Sequence, residues 1–142
     1  MKKGSEQFFR STLAALLLQA FASGAGAQAL DYGFFKSNVE PIFLQKRAGH
    51  TRCYVCHAER SNNAFKLEKL AAGSKSWSEE QSRRNFEMAS RLVVPGKPEA
   101  SLLLLHPLAP EAGGSAYHSG GRQFADKNDA GWKTIARWVS GQ

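Results

Sequence analysis

Cysteine is scarce in this chain. Its 142 residues contain only two cysteines, Cys53 and Cys56, so a zinc site of four cysteines is excluded. A site of two cysteines and two histidines would need histidine pairs at finger-like spacing, and the four histidines of the chain show none. Internal repeats are also lacking, as is the alternation of apolar and polar residues that is typical of strands. These absences favour a small, mainly α-helical domain.

Long apolar runs are lacking too. Three basic residues open the chain, followed by an apolar stretch of about 10–12 residues and then by Ala27-x-Ala29. The stretch falls short of the roughly 20 residues that span a bilayer, and the pattern is typical of a secretory signal peptide. We therefore predict a leader at residues 1–29 and one mature domain at residues 30–142. That domain would have no transmembrane segment and a periplasmic or secreted location in a bacterium.

Acidic residues are the minority, with 12 Asp and Glu against 19 Lys and Arg, for a net charge of +7. The leader carries three basic residues and one acidic residue, so the mature chain would carry +5. A mildly basic surface suits an acidic protein partner or an anionic membrane surface. The basic residues are scattered and the aromatic residues fit a core, so the pattern does not indicate nucleic-acid binding.

The two cysteines belong to the string Cys53-Tyr54-Val55-Cys56-His57. This C-x-x-C-H spacing is typical of c-type haem attachment, because two thiols can each add to a vinyl group on one porphyrin edge while the histidine reaches the iron. A disulfide, a redox dithiol and half of a zinc site are the alternatives. A thioredoxin-like dithiol follows a strand in a βαβ pattern, which is not visible. Haem attachment to this motif takes place outside the cytoplasmic membrane, so the leader and the motif support each other.

Apolar periodicity and capping residues predict about four helices. They lie at about residues 31–45, 79–92, 102–105 and 129–140. Pro41 implies that the first helix either kinks or starts late. Ser78 and Gln81 form a capping box for the second helix, and Ser101 is predicted to cap the third.

This arrangement resembles a class I-type cytochrome c, and in particular the small exported cytochrome c domains of environmental bacteria. The resemblance covers roughly residues 31–141 and includes the strings at 39–43 and 95–103 and the ending Trp138-Val139. It implies one covalent haem c with its iron, first and last helices that cross beside the haem, and His57 as proximal ligand. The implied function is a mono-haem electron carrier between redox partner proteins rather than an enzyme.

The sixth iron ligand departs from the family pattern. Many cytochromes c place a methionine in the loop before the last helix, but Met88 is the only methionine after the leader and lies within the predicted second helix. The loop at 107–121 offers His118 instead, followed by two glycines that let the backbone approach a ring face. We predict His118 as the distal ligand, with Met88, His106 or an open position as alternatives.

An open distal position would imply a different function. The alternative is a haem enzyme or sensor that reduces peroxide or binds a small gas, and it depends on whether His118 binds iron. A third possibility is a fixed cytochrome subunit of a larger oxidoreductase complex. In such a subunit the chemistry at the haem would be the same as in a free carrier, and the partner would be fixed.

Overall fold

The computed structural model describes residues 29–60 and 64–142, which form a mainly helical domain as the sequence predicts. Besides two single-turn 3₁₀ helices at Pro98–Ala100 and Pro110–Ala112, the described residues form five helices. These are α1 (residues 32–44), α2 (Val55–Arg60, wound as a π-helix), α3 (Glu79–Ser90), α4 (Leu102–Leu105) and α5 (Ala130–Ser140). Within these ranges the only β-type pairing is two isolated bridges. None of the helices in them is long and apolar enough to cross a bilayer. The predicted leader lies outside the described residues, apart from Ala29.

Helix α1 changes its winding along its length. It begins with the α-helical turn Tyr32–Phe34, capped by the Asp31 carboxylate, widens to a π-helix at Phe35–Val39 and returns to α-helix at Glu40–Leu44. Pro41 provides a physical reason, since it has no N–H to donate and its ring crowds the carbonyl one turn back. The helix therefore neither starts late nor stops at Pro41. Its π-helical segment, Phe35–Val39, lies just before the proline.

Aromatic side chains join the first, third and last helices. The ring centroid of Phe35 lies 5.2 Å from that of Trp138 on α5 and 5.4 Å from that of Phe86 on α3. The Trp138 indole N–H also donates to the Asp31 carbonyl oxygen at 2.9 Å. This packing brings α1 and α5 together and leaves the other side of α1 to line a cavity.

A buried carboxylate also ties α1 to α3. Glu40 is only 6 % exposed, and its carboxylate accepts hydrogen bonds from the Ser82 hydroxyl at 2.8 Å and from the Asn85 amide at 3.1 Å. The Asn85 side-chain oxygen in turn accepts the backbone N–H of Glu68 at 2.8 Å. These bonds satisfy polar groups that would otherwise be costly to bury.

The predicted caps have mixed outcomes. The capping box of Ser78 and Gln81 is present at the start of α3. The Ser101 cap is wrong, because its side chain makes no capping bond to α4. Its hydroxyl instead accepts the Val94 N–H and donates to the Lys97 carbonyl, both at 2.9 Å. Ser101 therefore fastens the turn before α4 rather than the helix itself.

Candidate functional site

An apolar cavity of about 370 Å³ lies between α1, the Cys53–His57 segment, α4, the 117–119 loop and α5. Its apolar lining includes Phe43, Phe65, Leu92, Leu103, Phe124 and Ile135. Three histidines from distant parts of the chain and one cysteine also line it, namely His57, His106, His118 and Cys53. The cavity size is typical of a small-molecule or cofactor site.

Cys53 and His57 face this cavity together. Cys53 lies in the helical turn that leads into α2, and His57 lies four positions later within α2, which places both on one side of the helix. Cys56 is partly buried and is not joined to Cys53 by a disulfide. Burial raises the pKa of the Cys53 thiol to about 11. A redox dithiol needs a thiolate of lowered pKa, so this environment does not favour the dithiol alternative.

The His57 ring is oriented by the segment that follows α2. Its Nδ1 lies 2.8 Å from the Phe65 carbonyl oxygen, and the Leu67 backbone N–H donates to the His57 carbonyl at 3.0 Å. A carbonyl oxygen can only accept, so Nδ1 carries the proton. In the neutral ring Nε2 then carries the lone pair that a metal needs.

His118 has the same arrangement in the opposite loop. Its Nδ1 lies 2.7 Å from the Gly121 carbonyl oxygen, and the Gly121 N–H donates to the His118 carbonyl at 2.9 Å. Gly121 has a φ of +83°, which glycine adopts without strain. A Cβ added at Gly120 would lie 3.2 Å from His118 Cε1. The two glycines therefore let the loop close tightly around the His118 ring.

The two oriented rings form a pair across the cavity. The centroids of His57 and His118 are 6.2 Å apart and their planes differ by 15°. A bond of about 2 Å from one metal ion to a nitrogen of each ring, plus the distance from each nitrogen to its ring centre, gives about 6 Å between centroids. The centroid separation therefore fits two imidazoles that share one metal ion.

The other two candidate ligands, His106 and Met88, differ in whether they reach the cavity. His106 lines the cavity from the end of α4, where it is exposed. Met88 lies partly buried on α3 and is not among the residues that line the cavity. His50 lies beside the loop at residues 117–121 that carries His118, which is called the distal loop below. A Cβ added at Gly121 would lie 3.3 Å from the His50 Nδ1.

The donor set fits haem better than a metal held by protein alone. Across residues 29–60 and 64–142, no group of three or more His, Cys, Asp or Glu side chains is placed to hold a metal ion. The two imidazoles of His57 and His118 would hold a haem iron, and the porphyrin would supply its other ligands. Cys53 lies at the same cavity, where a thiol could bond to the macrocycle edge.

An ion pair supports one wall of the cavity. Arg47 forms two bonds with the Asp129 carboxylate, at 2.7 and 3.1 Å, and its guanidinium lies 4.8 Å from the ring centroid of Phe124. Asp129 also caps α5 through the N–H groups of Gly131 and Trp132. Burial alone would raise the pKa of Asp129, but these hydrogen bonds outweigh it and the pKa is lowered. The pair has no local signature in the sequence, because its members are 82 positions apart.

Comparison with protein-family models, with curated proteins and with solved structures finds no match to this chain. The function proposed for the chain therefore stands on these side chains and their geometry.

Proposed function

We propose that this chain is a mono-haem c-type cytochrome that carries electrons between redox partner proteins outside the cytoplasmic membrane. The observation that carries the proposal is the pair of oriented imidazoles, His57 and His118, 6.2 Å apart across an apolar cavity that Cys53 also lines. The haem would be held by thioether bonds to Cys53 and Cys56. Its iron would supply one-electron chemistry between Fe(II) and Fe(III).

The residues of the chain would keep both axial positions filled. Each histidine is fixed by a carbonyl that accepts its Nδ1–H, at 2.8 Å for His57 and 2.7 Å for His118. Such outer partners fix the tautomer and make the ligating nitrogen more basic. A filled pair of axial positions leaves no site at the iron for a substrate, which favours electron transfer over peroxide reduction or gas binding. Two histidines also favour a lower reduction potential than a His and Met pair.

The surroundings of the cavity suit electron exchange with a partner. Two of its lining side chains, Leu102 and Tyr117, are 45 % and 81 % exposed. A haem in the cavity would therefore have an edge near solvent, where a partner could approach. The net positive charge of the chain favours an acidic partner.

The test is to produce the full chain in a bacterium that exports it and attaches haem c. We expect haem that stays with the polypeptide after denaturation in acid and organic solvent, and sharp low-spin α and β bands on reduction. Cys53→Ala combined with Cys56→Ala is the control, and it should release its haem under the same treatment. Haem that is released from the wild-type chain would contradict covalent attachment. A high-spin reduced spectrum that shifts on adding CO would instead support an open-site enzyme or sensor.

A further inference from the structure

Gln123 is a buried amide side chain close to the proposed iron site. It is 6 % exposed, and its Nε2 donates to two carbonyl oxygens, that of Thr51 at 3.0 Å and that of Gly120 at 2.9 Å. Both partners can only accept, so the nitrogen of the amide must face them. Both N–H groups of the amide are therefore used, one for each carbonyl.

The two carbonyls belong to the two segments that carry the candidate iron ligands. Thr51 precedes Cys53 by two residues, in the segment that leads into the C-x-x-C-H motif. Gly120 follows His118 by two residues and lies within the turn closed by the Gly121 carbonyl. One side chain thus connects the proximal segment to the distal loop.

Gln123 is itself held in place by its backbone. Its N–H donates to the Pro107 carbonyl at 2.8 Å, and its own carbonyl accepts from Arg47 at 3.1 Å. Arg47 is anchored in turn to the cap of α5 through Asp129. Gln123 is therefore a buried residue whose backbone position is fixed by two hydrogen bonds, and its side-chain amide connects two other segments from that position.

We propose that Gln123 is a positioning residue that sets the separation between the haem motif and the distal loop and so keeps His118 on the iron. This inference rests on the proposed haem function. The distal loop contains two glycines, which gain the most freedom when a restraint is removed. Loss of the bridge would let the loop move away, and His118 would then leave the iron more often.

The test measures how fast cyanide binds to the ferric protein, because cyanide must wait for His118 to dissociate. Gln123→Leu has a similar size but cannot donate, and we expect it to speed cyanide binding about tenfold, as loss of a buried hydrogen bond of ordinary strength would. In a His118→Ala background the same change should have no effect, since the ligand that it positions is gone. Equal acceleration in both backgrounds would overturn the proposal.

The matched control is Gln81→Leu, which also removes two side-chain bonds, one to the Lys69 carbonyl and one from the Ser78 N–H, at the start of α3 and away from the cavity. It should leave the cyanide rate unchanged. A wild-type chain that binds cyanide as fast as His118→Ala would contradict the proposed ligation itself. Cyanide binding that is slow in the wild type and equally slow in Gln123→Leu would contradict only the role of Gln123. If Gln123→Leu fails to fold, exchange of the Gln123 amide protons in the wild type decides, and exchange as fast as in a free glutamine overturns the proposal.

Discussion

His118 and His106 line the same cavity but differ in exposure and in the groups that orient them. His106 is exposed at the end of α4, whereas His118 is partly buried and its Nδ1 faces the Gly121 carbonyl at 2.7 Å. Only the ring of His118 is nearly parallel to that of His57 across the cavity, among the ring contacts of the described residues. At the scale of one residue, orientation by a backbone acceptor therefore distinguishes the proposed ligand His118 from His106, which lines the same cavity.

The change His118→Ala tests this distinction directly. We expect the reduced haem to become high-spin and to bind CO, because one axial position is then open. His106→Ala is the matched control from the same cavity, and Met88→Leu is a second control from outside it. Both should keep the low-spin visible spectrum. A low-spin spectrum that survives His118→Ala would show that another group is the sixth ligand.

The sequence predicts those site residues whose roles depend on local spacing. The C-x-x-C-H motif is local, and the position of His118 before the last helix, next to two glycines, is also visible in the sequence. The acceptors of the Nδ1 protons and the Gln123 bridge are not. Gln123 and Thr51 are 72 positions apart, and only the folded chain brings them together.

At the scale of elements, the charge of the Asp129 carboxylate at the start of α5 should make the stability of the fold depend on pH. Asp129→Asn keeps an oxygen for the N-cap but removes the charge that pairs with Arg47. Because the pKa of Asp129 is lowered in the folded chain, the unfolded chain takes up its proton at a higher pH. The pair therefore stabilises the fold fully above the unfolded pKa of about 4, and this stability is lost as the pH falls through the folded pKa.

Urea unfolding should show this dependence. We expect Asp129→Asn to lower the free energy of unfolding by about 1 kcal/mol near neutral pH, and by clearly less in strong acid. Glu99→Gln is the control, since it removes the exposed ion pair with Lys127 and should cost almost nothing. A loss from Asp129→Asn that is the same at both pH values would contradict the role of its charge.

The four predicted helices are present with small errors at their ends, because their apolar faces and caps are local signals. Helix α3 ends at Ser90, two residues before the predicted end, and α5 begins just after its cap. The π winding before Pro41 is not predicted, since it depends on how the rest of the fold holds a helix across a proline. Residues 65–70 form neither helix nor strand. Their backbone instead supplies the acceptor for His57, a role with no pattern in sequence.

At the scale of the whole molecule, we expect the stability of the fold to depend on what fills the cavity. A haem that filled this cavity would bury apolar side chains such as Phe43, Phe124 and Ile135, and buried apolar surface stabilises a fold by about 25 cal/mol for each Å². Small domains have a total stability of about 5–15 kcal/mol. We therefore expect the chain with Cys53→Ala and Cys56→Ala, once its non-covalent haem has been extracted, to lose most or all of its cooperative thermal transition. Calorimetry of both forms checks this, and equal melting temperatures would contradict it.

The ends of the described chain lie side by side. Ala29, Asp31 and Gln142 line one small depression next to Trp138, and the turn around Gly73 is exposed. A circular permutant that joins the old ends through a short linker and opens at that turn should keep its fold. In such a chain His118 would be translated before the C-x-x-C-H motif at residues 53–57. An unchanged low-spin spectrum would then show that this site depends on how its two halves meet in space and not on the order in which the ribosome makes them.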